Sequence, residues 1–152
     1  HFKKVESSDI WLIYEFANDA KTRAMSFETS EISRQQHQKW FEKILISTDE
    51  YIFLAALEEC SPYIGFVKVN RNGMIGISVA KEFRGYGLGS NLITSFLRFL
   101  REELSNIDFR IIIALIKNEN DASIRTFEKA GFKFKSLDIY KGETCLRYEI
   151  EL

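Results

Sequence analysis

Three glycines at alternate positions, Gly85, Gly87 and Gly89, form the most chemically informative stretch of the sequence, and Arg84 stands directly before them. Glycine has no Cβ atom, so the backbone N–H groups of such a turn can converge on a bound ligand. The apolar residues that follow repeat at helical spacing, so the turn opens onto a helix N-terminus, whose dipole favours anions. The stretch therefore predicts a site for a phosphate-bearing ligand.

Two common phosphate-binding loops do not fit this stretch. A dinucleotide-binding loop has the spacing Gly-x-Gly-x-x-Gly after a first strand, whereas the spacing here is Gly-x-Gly-x-Gly after several predicted strands. A Walker loop needs Lys followed by Ser or Thr after its last glycine, where this chain has Ser90 and Asn91. A glycine-rich turn without a ligand is the remaining alternative, although three clustered glycines are costly in backbone entropy.

The glycine turn joins a set of predicted strands to a predicted helix. Three runs rich in β-branched and aromatic residues predict an antiparallel meander: Tyr51–Leu57, Tyr63–Asn70 and Met74–Val79. The dipeptide Asn72-Gly73 is typical of a tight hairpin between the last two runs. A long helix is predicted from Leu88 to about Leu104, and the continuous apolar run Phe109–Ile116 predicts a strand that is covered on both faces. Strand, helix and strand then form one βαβ crossover.

The N-terminal part is predicted to be mainly helical. After a short strand at Phe2–Val5, Asp9 is the predicted cap of a helix that ends near Asn18. A polar, partly helical and partly looped excursion lies between Asn18 and Ile32, and segments of this kind often line binding sites. Ser33 and Gln36 have capping-box spacing and open a second helix. Its apolar face carries His37, Trp40, Phe41, Ile44 and Leu45.

A helix and a hairpin are predicted towards the C-terminal end. The segment Asn118–Asp121 supplies a cap for a helix over Ala122–Ala130, with Phe127 pointing inward and Gly131 directly after the helix. Two further strands, joined by a tight turn through Lys141-Gly142, are predicted at Phe132–Tyr140 and Thr144–Ile150.

Length and composition limit the classes of protein that fit. With 152 residues, 45% of them hydrophobic, we expect a single domain over residues 1–152 with a full core. A net charge of -1 gives no excess of positive charge of the kind that binds nucleic acid or an anionic membrane. Cys60 and Cys145 are far apart and form no His/Cys cluster, so we expect a reducing compartment and no metal site. No apolar run reaches the ~20 residues of a membrane span and no signal-peptide core is present, which predicts a cytoplasmic location.

Two separated motifs resemble the GCN5-related N-acetyltransferase (GNAT) superfamily. The stretch Arg84-Gly85-Tyr86-Gly87-Leu88-Gly89 is similar to the superfamily pattern Arg/Gln-x-x-Gly-x-Gly/Ala. From Asn118 to Phe132, the pattern Asn-x-Asn-x-x-Ser-x-x-x-Phe-Glu-Lys-Ala-Gly-Phe resembles the second part of its acetyl-CoA site. The resemblance implies an α/β (α+β) fold with a mixed, mostly antiparallel sheet of about six or seven strands and about four helices. The sheet is expected to splay where acetyl-CoA binds.

The resemblance also implies which residues hold acetyl-CoA, the expected co-substrate. The strand before the loop is expected to pair with the pantetheine arm, and the loop to hold the pyrophosphate. The implied residues are Ile77, Ser78, Val79, Arg84, Gly85, Tyr86, Gly87, Leu88, Gly89, Ser90, Asn118, Asn120, Ser123, Phe127 and Lys129. By residue type alone, Asn118 also fits the end of a strand, Asn120 a helix cap and Lys129 a solvated helix end.

The N-terminal half resembles a narrower branch, the acetyltransferases of amino sugar nucleotides and especially those of pseudaminic acid biosynthesis. The resemblance lies in Trp11–Asn18, Ser26-Phe27, Glu31-Ile32-Ser33, His37 and Trp40-Phe41. It implies a small-molecule primary amine, such as a UDP-amino sugar, as acceptor. Ribosomal-protein and polyamine acetyltransferases also have a helical excursion before Trp-Phe, so a protein N-terminus and a polyamine are alternative acceptors. A non-catalytic acyl-CoA-binding module is the alternative from another class, and the oligomeric state stays open, a homodimer included.

Acetyl transfer to an amine needs a neutral amine held against the thioester, an acceptor for its proton and donors for the developing oxyanion. The resemblance gives the oxyanion role to the backbone N–H near Val79. It also places Phe127 where many relatives have a tyrosine that protonates the departing thiolate. Phe127 cannot donate a proton, so water, Tyr140 or another hydroxyl supplies it, or the thiol leaves with little help.

Three side chains are candidate general bases: His37, Glu28 and Glu31. His37 has a suitable ordinary pKa of about 6.5, although it also fits a packed, hydrogen-bonded structural histidine beside Trp40 and Phe41. The two glutamates also fit solvated carboxylates of the excursion.

Overall fold

The computed structural model of the protein describes residues 1–103 and 109–152. This part of the chain forms seven strands and five α-helices. In chain order they are β1 (Phe2–Lys4), α1 (Ile10–Asn18), α2 (Ala20–Ala24), α3 (Arg34–Leu45), β2 (Glu50–Ala56), β3 (Tyr63–Asn70), β4 (Ile75–Val79), α4 (Leu88–Glu103), β5 (Ile111–Lys117), α5 (Asp121–Lys129), β6 (Lys133–Tyr140) and β7 (Glu143–Glu151). The predicted elements are all present within one or two residues, while the predicted end of α4 near Leu104 lies outside the described residues.

The strands form two antiparallel sheets that meet along β4 and β5. One sheet has the order β1-β2-β3-β4 and the other the order β5-β7-β6. They touch where Met74 and Ile113 form a parallel bridge, and the N–H of Ile113 donates to the carbonyl oxygen of Gly73 at 2.9 Å. The βαβ crossover β4-α4-β5 and the splayed sheet are therefore confirmed, and the splay separates the sheet into two.

Gly73 lies where the two sheets touch, and only glycine fits there. Its φ is +76°, and a Cβ atom on it would lie 2.2 Å from the carbonyl oxygen of Ile111. The hairpin between β3 and β4 thus needs glycine for its left-handed backbone and for the close approach of β5.

Two apolar clusters fill the space on either side of the first sheet. The larger one packs α4 and α5 against both sheets, and the smaller one packs α1 and α3 against the opposite face of β2 and β3. The helical spacing predicted for α4 is confirmed by its buried residues Leu92, Ile93, Phe96, Leu97 and Leu100. Fully burying one such side chain stabilises the fold by about 1.5–3 kcal/mol.

The strand β5 is covered less than its sequence predicts. Ile112, Ala114 and Ile116 are buried on the face that meets the helices, whereas Ile111 is 43% exposed. The expectation of a strand covered on both faces was wrong, because the helices pack on one face of this sheet and leave the other partly open. None of the described helices is both long and apolar enough to cross a membrane.

Candidate functional site

A cleft of about 550 Å³ opens where β4 and β5 diverge. Its floor is the end of β4, from Ile77 to Val79, and its walls are the glycine loop, the first turn of α4, the helix α2 and one face of α5. The predicted residues that line it are Ile77, Ser78, Val79, Arg84, Gly85, Gly87, Leu88, Gly89, Ser90, Asn120, Ser123 and Lys129. Most of the predicted acetyl-CoA residues are therefore brought to one surface.

The outer edge of β4 presents backbone hydrogen-bonding groups to this cleft. The N–H of Ala80 donates to the carbonyl oxygen of Ile64 at 2.8 Å, which makes this pair a hydrogen-bonded pair of the β3-β4 ladder. Because bonded and non-bonded pairs alternate, the next pair, Val79 with Gly65, is of the non-bonded kind. The N–H and C=O groups of Val79 and Ile77 consequently point away from β3 and towards the cleft.

The glycine loop runs directly into α4. Gly85 and Gly87 have φ angles of +85° and +73°, a backbone conformation that side chains with a Cβ atom rarely adopt. The hydroxyl of Ser90 donates to the carbonyl oxygen of Gly87 at 3.1 Å and fixes the loop to the first turn of the helix, which begins at Leu88. The loop thus places backbone N–H groups at the positive end of the helix dipole.

Gly89 lets α5 approach the glycine loop closely. A Cβ atom at this position would lie 2.9 Å from Cγ2 of Thr126 on α5. One turn further along α5, the ammonium of Lys129 lies 3.9 Å from the point where a Cβ atom of Gly87 would be. The contact between Gly89 and Thr126 therefore brings a cation to the loop.

All the ionisable side chains that line the cleft within the described ranges are cations: Lys21, Arg84, Arg125 and Lys129. Arg125 and Lys129 are four residues apart on α5 and so share one face of that helix. Sequence reasoning did not include Arg125, although its spacing from Lys129 indicates it. Lys21, Thr22, Met25 and Ser26 were also missed, because only the tertiary fold lays α2 across the end of β4.

The guanidinium of Arg84 is engaged on the α2 side of the cleft. Its Nε donates to the carbonyl oxygen of Val79 at 2.8 Å, and its Nη2 lies 2.7 Å from Oδ1 of Asp19 and 3.2 Å from Oγ1 of Thr22. Burial opposes ionisation of Asp19, but the hydrogen bonds from Arg84 and Thr22 outweigh it and hold the pKa of that carboxyl below its ordinary value. Arg84 thereby fastens α2 to the end of β4.

His37 lies outside the cleft. It is 1% exposed, and its ring is surrounded by the side chains of Trp11, Tyr14, Trp40 and Phe41. Its Nε2–H donates to the carbonyl oxygen of Ile10 at 2.7 Å, which leaves Nδ1 unprotonated and without a partner among the described residues. Burial lowers the pKa of this imidazole, although the hydrogen bond to Ile10 opposes the shift. The geometry is that of a neutral histidine linking α3 to α1.

The excursion meets the β6-β7 hairpin through two side-chain contacts. The ring of Phe27 packs edge-on against Tyr140 at 5.0 Å, and the neighbouring Lys141 forms an ion pair with Glu28. The hydrogen bond from Lys141 lowers the pKa of Glu28. Glu31 is exposed beside a second, shallower depression of about 450 Å³. Tyr140 and Glu28 thus lie together, apart from His37.

Three of the predicted acetyl-CoA residues, Phe127, Asn118 and Tyr86, are not among those that line the cleft. Phe127 is buried in the larger core, edge-on to Phe132 at 5.0 Å. Asn118 is exposed directly after β5, and Tyr86 is 77% exposed at the tip of the glycine loop. Asn120 lines the cleft and also caps α5, because its side chain accepts from the N–H of Ser123 at 3.2 Å. In residues 1–103 and 109–152, no group of three His, Cys, Asp or Glu side chains is arranged to hold a metal ion.

The family model for the acetyltransferase (GNAT) domain matches residues 1–133 of this chain. YwnH of Bacillus subtilis strain 168, provisionally named a phosphinothricin acetyltransferase, is 26% identical over 117 residues, which cover 73% of this chain and 69% of that protein. A mycothiol acetyltransferase of Mycobacterium sp. strain JLS is 24% identical over 116 residues, which cover 72% of this chain and only 36% of the longer relative.

Solved structures share the fold over the full length of the chain. A spermidine N-acetyltransferase from Vibrio cholerae, solved with CoA and spermine, has a TM-score of 0.81 at 19% identity and covers 99% of this chain and 94% of its own. The aminoglycoside acetyltransferase AAC(6')-Ib, solved with paromomycin and acetyl-CoA, has a TM-score of 0.83 at 17% identity. The match covers 99% of this chain and 92% of the acetyltransferase chain. At these sequence identities, the similarity shows a shared fold and nothing further.

Proposed function

The chain belongs to the GNAT acetyltransferase family and is an acetyl-CoA-dependent acetyltransferase, and we propose that its acceptor is the primary amine of a small molecule. The observation that carries the donor half of this proposal is the cation-lined cleft at the glycine loop. Acetyl-CoA carries a pyrophosphate and a further phosphate, and the lining cations Lys21, Arg125 and Lys129 have the opposite charge, while Arg84 is paired with Asp19.

Each part of the donor has a proposed partner in the cleft. The N–H groups of residues 85–90 hold the pyrophosphate, and the ammonium of Lys129 lies beside them. The outward-pointing N–H and C=O groups of Ile77 pair with the pantetheine arm as a neighbouring strand would, while the C=O of Val79 is bonded to Arg84. The N–H of Val79 then donates to the thioester oxygen as negative charge develops there. For Arg84 we propose a role in positioning α2, because its guanidinium is hydrogen-bonded to Asp19 and Thr22.

The proposed reaction is a direct transfer in a complex of both substrates. The neutral amine nitrogen forms a bond to the acetyl carbon, the carbon–sulfur bond breaks with its electron pair leaving on the CoA sulfur, and the nitrogen loses one proton. We propose that water takes this proton, because the ionisable groups lining the described cleft are cations and His37 is enclosed in the core. The ion pair with Lys141 lowers the pKa of Glu28, which makes this carboxylate a weak base.

Tyr140 is the proposed donor of a proton to the departing thiolate. Phe127, at the position where many relatives have a tyrosine, has no hydroxyl and is buried in the core. Tyr140 packs on Phe27 of the excursion, the segment from which we expect acceptor-binding residues. We expect Tyr140→Phe to lower kcat about 10²-fold or more with an unchanged KM for acetyl-CoA. An unchanged kcat would assign the proton to water.

For the acceptor we propose the amine of a nucleotide-linked amino sugar, of the kind used in pseudaminic acid biosynthesis. A protein N-terminus and a polyamine are the alternatives, and spermine is the acceptor-like ligand of the Vibrio cholerae relative. The deciding experiment measures acceptor-dependent release of CoA thiol with UDP-amino sugars, polyamines and N-terminal peptides. Calorimetry of acetyl-CoA binding runs in parallel. Tight acetyl-CoA binding without release above hydrolysis for any amine would favour the non-catalytic binding module.

A further inference from the structure

Ser78 lies on the floor of the cleft and is 6% exposed. We infer that its hydroxyl binds the attacking amine. Its Oγ accepts a hydrogen bond from the amine N–H, which leaves the lone pair of the nitrogen to face the acetyl carbon. The inference rests on the proposed acetyltransferase function and adds a substrate-binding residue to it. It differs from the role that the family resemblance implies for Ser78, which is contact with acetyl-CoA.

The two faces of β4 meet different parts of the cleft. Ser78 is directly opposite Phe66 of β3, and directly opposed residues share one face of a sheet. Phe66 belongs to the smaller apolar cluster, on the side of α1 and α3. Ile77 faces the other way, and its Cδ1 lies 3.8 Å from the point where a Cβ atom of Gly89 would be. The glycine loop therefore lies on the Ile77 side of β4, and the Ser78 side is left for the amine.

A chain of hydrogen bonds sets the direction in which the Ser78 hydroxyl donates. Oγ1 of Thr22 lies 3.3 Å from Oδ1 of Asp19 and 3.2 Å from Nη2 of Arg84. A carboxylate only accepts and a guanidinium only donates, so the single hydroxyl proton of Thr22 goes to Asp19. The third contact of Thr22 is with Oγ of Ser78, at 3.4 Å. In this contact the hydroxyl of Ser78 is therefore the donor.

Ser78 thus presents an oxygen with unused lone pairs to the cleft. A serine hydroxyl has one proton and two lone pairs, and within the described part of the chain this hydroxyl has no hydrogen-bond partner besides Thr22. The neighbouring hydroxyl of Ser26 is engaged, because it donates to the carbonyl oxygen of Thr22 at 2.6 Å and accepts from Arg23 at 2.9 Å. Since Ser78 is buried, a hydrogen bond to its Oγ is stronger than the same bond in water.

The position of Ser78 in β4 fits this role. The next residue is Val79, whose N–H is the proposed donor to the thioester oxygen. A neutral primary amine has two N–H bonds and one lone pair. When one N–H donates to Oγ of Ser78, the lone pair is free to form the bond to the acetyl carbon, and the proton that the nitrogen then loses goes to water as proposed above. Holding the amine in this orientation lowers the barrier by positioning.

The test compares Ser78 variants in the release of CoA thiol with spermidine, UDP-glucosamine and a peptide with a free N-terminal alanine. We expect Ser78→Ala and the nearly isosteric Ser78→Cys to lower kcat/KM for the amine about tenfold or more, because a methyl group accepts no hydrogen bond and a thiol accepts only weakly. Ser78→Thr keeps the hydroxyl and should restore kcat/KM to within about threefold. Each amine that is turned over should show the same loss, since the contact involves only its N–H.

Thr22→Val separates binding of the amine from attachment of α2. This variant removes all the hydrogen bonds of the Thr22 hydroxyl, to Asp19, Arg84 and Ser78, whereas Ser78→Ala removes only the last of them. If Ser78 binds the amine, Ser78→Ala lowers kcat/KM more than Thr22→Val does. A larger loss in Thr22→Val would make Ser78 a structural residue and overturn the inference. Full activity of Ser78→Cys would overturn it as well.

Donor binding and the fold are controlled separately. The dissociation constant of acetyl-CoA, measured by calorimetry, should change by less than about twofold in the Ser78 variants. A tenfold loss of acetyl-CoA affinity in Ser78→Ala would return this residue to the donor site and contradict the inference. Ser136→Ala, at an exposed position of β6, is the matched control and should leave kcat/KM unchanged. Thermal unfolding verifies the fold of each variant.

The two levels of the proposal fail in different ways. Acetyl-CoA binding without turnover of any of the three amines by the unaltered protein would contradict the proposed function, and the inference with it. Turnover that Ser78→Ala leaves unchanged would contradict the role of Ser78 alone and leave the acetyltransferase function intact.

Discussion

The guanidinium of Arg84 lies 2.7 Å from the carboxylate of Asp19, which joins the loop expected to hold the donor to the segment expected to hold the acceptor. Asp19 also accepts from the N–H of Thr22 at 3.1 Å and thereby begins α2. Thr22 in turn lies 3.4 Å, oxygen to oxygen, from the hydroxyl of Ser78 on the floor of the cleft. One charged contact thus sets the position of α2 over β4.

Breaking this contact is expected to affect acceptor binding more than donor binding. Arg84→Gln and Asp19→Asn should each raise the KM for the amine several-fold, because α2 loses its attachment to β4. The dissociation constant of acetyl-CoA, measured by calorimetry, should change by less than about threefold, under 1 kcal/mol. A double-mutant cycle in urea unfolding should give a coupling of about 1–3 kcal/mol, since both side chains are three-quarters or more buried. A tenfold loss of acetyl-CoA affinity in Arg84→Gln alone would instead assign the guanidinium to the pyrophosphate.

Gly89 is expected to be required for the packing of α5 on α4 rather than for its backbone conformation. Gly89→Ala should destabilise the fold, because the added Cβ atom meets Cγ2 of Thr126 at 2.9 Å. The expected cost is about 1–3 kcal/mol of overpacking, against about 0.5–1 kcal/mol gained from replacing a helical glycine. The double variant Gly89→Ala with Thr126→Ser removes the opposing methyl group and should recover most of the loss in chemical unfolding. A double variant as unstable as the single one would contradict the steric explanation.

The cations on α5 are expected to contribute to acetyl-CoA affinity by charge. Lys129→Gln and Arg125→Gln should each weaken binding about fivefold, which corresponds to about 1 kcal/mol. The affinity of the unaltered protein should fall with ionic strength, and both variants should show a shallower fall, since screening acts on the removed charge. Lys135→Gln on β6 serves as the control for a general change of net charge. Calorimetry at two salt concentrations measures both effects, and parallel salt dependences would contradict a phosphate contact.

His37 is expected to control stability against pH. Its folded pKa is lowered by burial, so the unfolded state binds the additional proton, and stability falls as pH drops below about 6.5. Relative to His37→Phe, which does not titrate, the protein should lose up to about 1.4 kcal/mol between pH 7.5 and 5.5. Urea unfolding at both pH values measures this difference. An identical pH dependence in the two proteins would show that the imidazole does not titrate differently on folding.

The pH dependence of the rate distinguishes water from His37 as the proton acceptor. With water in this role, kcat/KM should rise up to the pKa of the acceptor amine, because only the neutral amine attacks. The midpoint should move when an amine of different pKa is used, and it should be the same in His37→Gln. A fixed midpoint below 6.5 that disappears in His37→Gln would make the histidine the base.

The sequence alone predicts nearly all of the helices and strands, and it predicts the glycine loop. Ser33 and Gln36 predict the start of α3, and both capping-box hydrogen bonds are present. The spacing of glycines before an apolar helical repeat indicates the anion site, because both signals depend on neighbouring residues. The prediction that β5 is buried on both faces was wrong, because an apolar run does not indicate on which face of the sheet the helices pack.

What only the tertiary structure decided is which distant side chains share a surface. Arg84 and Asp19 are 65 positions apart, and Glu28 and Lys141 are 113 apart, so no local pattern connects them. His37 carries a suitable pKa in the sequence, but the packing of α3 on α1 encloses it and lowers that pKa. Periodicity and turn chemistry act within a few residues and fix the elements and the glycine loop. The ion pair of Glu28 with Lys141 forms only when the excursion and the β6-β7 hairpin are packed together.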